Sequence, residues 1–309
     1  MNWLTQVFAE QSIAWLLISS IVALASGFLS SLFTYRFIKR QEIIDEAKWQ
    51  GEIRKEVESF LGDKSAEREY NLEARKRLYN AIGPLKFQLV IACRDVVGRI
   101  GSYGEKQRFN MTMETYYGRN TLYRLLRPIA IAELIEQQIT YADFSVDLST
   151  IGLLRFKRAA FMAFTDGNII LDHPNANWNF QREHLFAGNL SQLANLMIIP
   201  DEDVNNKKRP MHFHEFEEFI RNPERIKLFS PLTKILEDFS IKNKPIFWLR
   251  LVCYGYICNK HIGQAGKKIG FKTYTFDLNK LLLISQDDYT LINLEKYQRV
   301  FNSLLSMRI

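Results

Sequence analysis

The chain has 309 residues, of which 47% are hydrophobic, 13% aromatic and 24% charged, and its formal net charge is +7. This composition supports a packed core in one large domain or two modest ones. The three cysteines exclude a disulfide framework, which agrees with a reducing compartment. No Gly-x-Ser-x-Gly, P-loop or Gly-x-Gly-x-x-Gly motif occurs, so the sequence indicates no cofactor and favours a protein that is not an enzyme.

The first predicted element is a transmembrane helix over residues 13–35. The stretch from Ile13 to Thr34 contains no charged residue and no proline. At about 1.5 Å per residue a helix of this length spans roughly 33 Å, close to the thickness of a hydrocarbon core. Trp15 and Tyr35 lie near its two ends, where amphipathic rings settle at the membrane interfaces.

The charges on either side of this stretch predict its orientation. Residues 1–12 contain no Lys or Arg, whereas Arg36, Lys39 and Arg40 follow the stretch directly. Because basic residues remain in the cytoplasm, we expect residues 1–12 to form an extracytoplasmic tail and the C-terminal part to face the cytoplasm. This predicts a single-pass protein of the inner (cytoplasmic) membrane. The alternatives are a buried helix or a signal peptide cleaved near Ala23–Ala25, although a signal peptide requires a basic segment before its apolar run.

Small residues recur every four positions inside the apolar stretch, at Ser19, Ala23, Gly27 and Ser31. Residues at this spacing share one helix face, and small side chains allow two helices to approach closely in lipid. We therefore expect homo-oligomers that associate through this face. The alternative is that serine and alanine are simply common in membrane spans.

Residues 36–64 are predicted to form a charged helical stalk. Acidic and basic residues alternate there at spacings that stabilise an exposed helix, such as Glu52 with Lys55. Gly62–Ser65 predicts a helix break, after which residues 65–309 form a helical cytosolic domain. Residues 200–210 are the most polar stretch of this domain and a candidate internal boundary.

The cytosolic domain is predicted to be built from amphipathic helices. Gly83–Pro84 predicts a kink or restart before the helix Leu85–Ile100, and Asn120 is a candidate N-cap. Later helices are expected at about 149–164, 180–198, 212–221, 231–239, 245–262 and 277–306. Lys272–Phe276 is the one strand-like stretch. The fold class is thus mainly α.

Two segments carry a resemblance to known proteins. RKRLYNAIGPLKFQLVIACRDVVGRI and NTLYRLLRPIAIAELIEQQI, followed by DFSVD, resemble uncharacterised bacterial membrane-anchored proteins over roughly residues 75–190. The matching positions are Pro84, Leu85, Arg99, Asn120, Thr121, Leu122 and Glu133. The resemblance implies one N-terminal span before a helical cytosolic domain, and it implies no activity.

Histidines supply the candidate chemical sites. His212 and His214 with Glu218 form a metal-like cluster, since imidazole and carboxylate suit zinc. On a helix, however, residues two apart point in different directions, so the alternative is the polar face of an amphipathic helix. Asp172–His173 and Glu183–His184 are candidate acid–base pairs, against which a hydrogen-bonded or solvated histidine is the default.

The basic groups at residues 75–77, 207–209 and 267–268 favour the anionic headgroups of a bilayer as partner, and nucleic acid is not expected. The function hypothesis is a membrane-tethered interaction or scaffold module, with self-association or a protein partner. Two alternatives stay open. The chain could be a membrane-perturbing effector of a defence or toxicity system, or a membrane-anchored hydrolase or nuclease without a recognisable motif.

Overall fold

The computed structural model describes residues 3–106, 110–140, 143–201, 207–267, 270–271 and 276–304. The described chain is mainly α-helical, as the sequence predicts, with one short β-hairpin. It divides into two units, Met1–Tyr70 and Asn71–Ile309. The helices are α1 Trp3–Lys106, α2 Tyr116–Ile139, α3 Ile151–Thr165, α4 Ala187–Leu196, α5 Phe213–Ile220, α6 Pro223–Lys227, α7 Leu232–Glu237, α8 Pro245–His261, α9 Leu278–Leu283, α10 Asp288–Ile292 and α11 Leu294–Leu304.

Helix α1 includes all the described residues of the first unit and continues into the second. Large apolar side chains of the first unit are exposed, among them Trp15 (70% exposed), Ile21 and Val22. Among the residues that the structure describes, no helix has the length and apolarity needed to cross a membrane. Part of the predicted span, including Leu16 and Ala23, lies outside the described side chains. The transmembrane helix therefore stays a prediction.

The predicted helix break at Gly62–Ser65 and the predicted restart at Gly83–Pro84 are wrong. The helix continues through Gly62–Ser65 and through Pro84, and it ends at Lys106. A glycine inside a helix costs only about 1 kcal/mol, which neighbouring turns offset. A proline costs about 3 kcal/mol, but here buried side chains on both sides of it anchor the helix in the core. These side chains are Leu78, Ile82, Leu85 and Leu89.

The N-cap of helix α2 lies five residues before the predicted cap. The Thr115 hydroxyl accepts the Gly118 N–H at 2.9 Å and caps the helix, whereas Asn120 is buried inside it. The prediction of Asn120 as N-cap is therefore wrong, because its side chain bonds to a residue of α1 instead of to its own helix. Pro128 lies inside α2 without ending it.

The core of the second unit surrounds α8, whose side chains are buried from Ile246 to Cys258 and again at His261. Such a helix, apolar on every side, is typical of a core element. Helix α3 packs against α8 and α2, and α9 and α11 also contact α8. The cysteines 93, 253 and 258 are all buried and free, which agrees with the absence of a disulfide framework.

Two further predictions about elements differ from the structure. The helix expected over 180–198 is shortened to α4 because residues 185 and 186 bond elsewhere: Leu185 N–H donates to the Phe164 carbonyl, and Phe186 N–H donates to the Gln181 side chain. The helix expected over 277–306 is divided into α9, α10 and α11. Asp277 and Asp287 each accept an N–H three residues on and so start α9 and α10.

The polar stretch near 200–210 carries the only sheet of the described residues. Strands β1 (Ile198–Pro200) and β2 (Lys208–Pro210) pair antiparallel, with Ile198 opposite Pro210. The intervening residues 202–206 lie outside the described part, as do residues 272–275 of the strand-like stretch. The candidate boundary thus falls on a hairpin.

Candidate functional site

A polar cleft lies beside the N-terminal half of α8, against the segment that connects α3 to α4. It has a volume of about 230 Å³. Two consecutive residues of the connecting segment, Leu171 and Asp172, adopt left-handed backbone conformations with φ of 50° and 48°. The cleft is lined by Ile170, Asn175, Ala176, Asn177, Trp178, Arg182, Glu183, His184, Ile246 and Arg250.

Arg250 is the most unusual residue of this cleft, because its side chain is 0% exposed. Its Nη1 donates to the carbonyl oxygens of Ala163 and Asp166, at 3.0 Å each, at the C-terminal end of α3. Its Nε and Nη2 have no hydrogen-bond partner among the described residues. Burial lowers the pKa of Arg250 to about 10, so the guanidinium remains charged at neutral pH.

Glu183 lines the same cleft, but its carboxylate accepts hydrogen bonds from the backbone of α8. Its Oε2 accepts the N–H groups of Ile246 at 2.9 Å and Phe247 at 3.1 Å, in the first turn of that helix. A carboxylate is favoured at this position because the first N–H groups of a helix lack partners within the helix. Burial nevertheless raises the pKa of Glu183, and the two backbone bonds oppose that rise.

His184 is buried beside the indole of Trp178, with 4.6 Å between the ring centroids. Burial, together with the charge of Arg250, lowers the pKa of His184. The ring is therefore neutral at physiological pH. Its Nε2 has no partner in the described part of the chain. Two side chains of the cleft thus have polar atoms without a hydrogen-bond partner among the described residues, the Arg250 guanidinium and the neutral His184 imidazole.

The other candidate histidine, His173, pairs with Asp287 and not with its neighbour Asp172. His173 Nε2 lies 2.9 Å from Asp287 Oδ2, and His173 Nδ1 accepts the Asn175 N–H at 3.2 Å. Because Nδ1 accepts, Nε2 of the neutral ring carries the proton. Both ring nitrogens are occupied, which favours a structural role.

The Asp287 carboxylate that receives this bond also caps α10 through the N–H of Thr290. Burial alone would raise the pKa of Asp287. The bonds from His173 and Thr290 outweigh burial, and the pKa lies below its ordinary value.

The candidate metal cluster lies at the start of α5. His212 and His214 are exposed, and so is Glu218. The two imidazoles lie parallel, 5.9 Å apart, and the His212 N–H donates to Glu215 Oε2 at 2.7 Å in a cap of the helix. No group of three metal-ligating side chains is arranged around a common point within the described residues.

A second cavity, of about 390 Å³, lies among α1, α3 and the π-helical turn Ile262–Gly266 that follows α8. Its walls are mainly apolar and include Phe87, Val90 and Leu153, with Lys86 and His261 as ionisable groups. His261 is buried, and burial lowers its pKa to about 4.

The remaining predicted residues lie on exposed surfaces. Ser19, Gly27 and Ser31 of the small-residue face are exposed, and Ala23 lies outside the described side chains. The topology-setting residues Arg36, Lys39 and Arg40 are also exposed. Residues 75–77 are exposed on α1, whereas the guanidinium of Arg209 forms a two-bond ion pair with Glu215, at 2.7 and 2.8 Å.

Two positions of the resemblance meet in the core. Arg99 of α1 donates to the side-chain oxygen of Asn120 and lies 3.9 Å from the ring centroid of Tyr117. A third position, Glu133, forms an ion pair with Lys157 of α3 at 2.8 Å. These residues connect α1 with α2 and α2 with α3, which indicates an architectural role.

Comparison of the chain with protein families, curated proteins and solved structures gives no match. Sequence analysis missed Arg250, although a signal was present: it is the only charged residue between Lys244 and Lys260. A lone arginine in an apolar core helix requires partners from elsewhere in the fold.

Proposed function

We propose that this chain is a membrane-tethered, cytosol-facing interaction or scaffold protein that self-associates through residues 13–34. The observation that carries the proposal is the exposed apolar surface of α1 in the first unit. Trp15, Ile18, Ile21 and Val22 are each more than half exposed. A contiguous apolar surface of this kind is typical of a site that meets a membrane or another protein.

The sequence supports a bilayer as the first of these partners. The stretch of 22 uncharged residues matches the thickness of a hydrocarbon core. The exposed Arg36, Lys39 and Arg40 follow it, and each basic side chain gains about 1 kcal/mol near an anionic lipid surface. These residues therefore favour a C-terminal part on the cytosolic side of the inner membrane.

The space around Gly27 supports self-association. A Cβ atom built at Gly27 has nothing within 4 Å in the chain itself. A larger side chain at this position would therefore disturb no packing within one chain. It would, however, separate two helices that approach each other through the small-residue face of Ser19, Ala23, Gly27 and Ser31.

The test is chemical crosslinking of the full chain in membranes. We expect Gly27→Ile to abolish the crosslinked dimer. Ala25→Ile is the matched control, because residue 25 lies about 160° around the helix from residue 27 and should leave crosslinking unchanged. Both variants must remain in the membrane fraction. Equal crosslinking of the parent chain and Gly27→Ile would refute this face as the association site.

A further inference from the structure

The cleft beside α8 contains a buried cation that forms no hydrogen bond to a carboxylate among the described residues. Arg250 is fully buried, yet its described partners are two carbonyl oxygens and no carboxylate. The carboxylates of Asp166 and Glu183 both act on the guanidinium through their charge, but neither accepts a hydrogen bond from it, and Glu183 directs its Oε2 to the backbone of α8. Arg182 also lines the cleft. Buried N–H groups that lack acceptors cost free energy, so an anion that accepts the free N–H groups of Arg250 would be stabilised.

The free atoms of Arg250 define the shape of that anion. Nη1 is occupied, which leaves Nε and Nη2 on one edge of the planar guanidinium. Two parallel N–H groups on such an edge match the two oxygens of a carboxylate. Lysine could not provide this geometry, because its ammonium is a point charge.

We propose that the cleft binds a small organic carboxylate, whose two oxygens accept the Nε–H and Nη2–H groups of Arg250. The Trp178 indole provides an aromatic wall for the body of the ligand, and His184 Nε2 provides one further hydrogen bond. The ligand is smaller than a typical drug molecule, because the volume of about 230 Å³ is below the usual range of such pockets. A phosphate dianion is less favoured, because its second negative charge adds to the repulsion by Glu183, which lines the same cleft.

A ligand that reaches the guanidinium of Arg250 has to pass Trp178. The guanidinium carbon lies 5.5 Å from the indole centroid, and the free nitrogens are shielded from solvent. Trp178 is 40% exposed, so it forms the outer side of this contact. Binding therefore requires the indole to move away from the guanidinium while it continues to line the cleft, and a change in its fluorescence should accompany binding.

The experiment is calorimetric titration of the full-length chain in mild detergent with benzoate, and in parallel with benzamide and inorganic phosphate. Benzamide has the same ring and nearly the same shape but no charge. We expect benzoate to bind at least tenfold more tightly than either of the other two compounds. Arg250→Lys should weaken benzoate binding at least tenfold, although it keeps the charge. Arg155→Lys, on the exposed surface of α3, is the matched control and should bind like the parent chain.

Two surface variants keep the test decisive if Arg250→Lys fails to fold. Arg182→Gln should weaken benzoate binding by a few fold, and Trp178→Phe should remove the fluorescence change that accompanies binding. Absence of benzoate binding, equal binding of benzamide, or preference for phosphate would overturn the proposal. Binding that is unaffected in a folded Arg250→Lys variant would overturn it as well.

Discussion

Replacement of His261 by glutamine should remove a large part of the acid sensitivity of the second unit. His261 is buried beside Phe156, with 4.8 Å between the ring centroids, and its Nε2 has no partner among the described residues. Burial lowers its pKa from the ordinary value of 6.5 to about 4. The folded chain therefore binds this proton less readily than the unfolded chain does.

The sign and size of the effect follow from proton linkage. Above pH 6.5 the imidazole is neutral in both states and the pH has no effect through this group. As the pH falls from 6.5 towards 4, the unfolded state binds a proton at this imidazole and the folded state does not. Stability is therefore lost. The full difference between the two pKa values corresponds to about 3 kcal/mol, of which about 2 kcal/mol is lost by pH 5.

The assay is urea unfolding of the full-length chain in mild detergent, measured near pH 8 and near pH 5. The parent chain should lose about 2 kcal/mol more than His261→Gln between the two values, because all other titrating groups are shared. His214→Gln, which removes an exposed histidine, is the control and should follow the parent chain. If the parent chain and His261→Gln lose equal stability, the neutral buried imidazole is refuted.

Two further predictions concern packing around α2, each measured by the urea midpoint of the full chain. Gly118→Ala should destabilise by at least about 2 kcal/mol, because the added Cβ overlaps the backbone oxygen of Thr112. Gly152→Ala in α3, where nothing lies within 4 Å of the added Cβ, should instead raise the free energy of unfolding by up to about 1 kcal/mol. Equal effects of the two variants would contradict this packing. Asn120→Ala should cost about 1–3 kcal/mol, since the buried Arg99 loses its acceptor, and an unchanged midpoint would refute that bond.

Periodicity predicted the helices well where the buried face is continuous. Helix α8 was expected over 245–262 and is observed over Pro245–His261, because Pro245 marks its start and an apolar run follows. The low helix propensity of single glycine and proline residues predicted helix breaks less well. Gly62 and Pro84 indicate helix breaks locally, but α1 continues through both, since tertiary packing and neighbouring turns outweigh costs of about 1–3 kcal/mol.

The hydrogen-bond partners of the candidate acid–base residues could not be predicted, because these partners are distant in sequence. His173 bonds to Asp287, 114 residues away, and Glu183 bonds to backbone groups 63 and 64 residues away. The sequence showed only their neighbours, Asp172 and His184, so it suggested pairs that the fold does not form. The lone arginine at position 250 was visible, but the identity of its partners depends on how α3 packs against α8.

The central claim is that residues 13–34 cross a membrane with the N-terminus outside. Single cysteines test it cleanly, because Cys93, Cys253 and Cys258 are buried. Gln6→Cys and Glu52→Cys place a thiol before and after the apolar stretch. In intact bacterial spheroplasts, a membrane-impermeant maleimide should label Gln6→Cys at once and Glu52→Cys only after the membrane is permeabilised. Equal labelling of both variants in intact spheroplasts, or recovery of the chain outside the membrane fraction, would contradict the membrane tether.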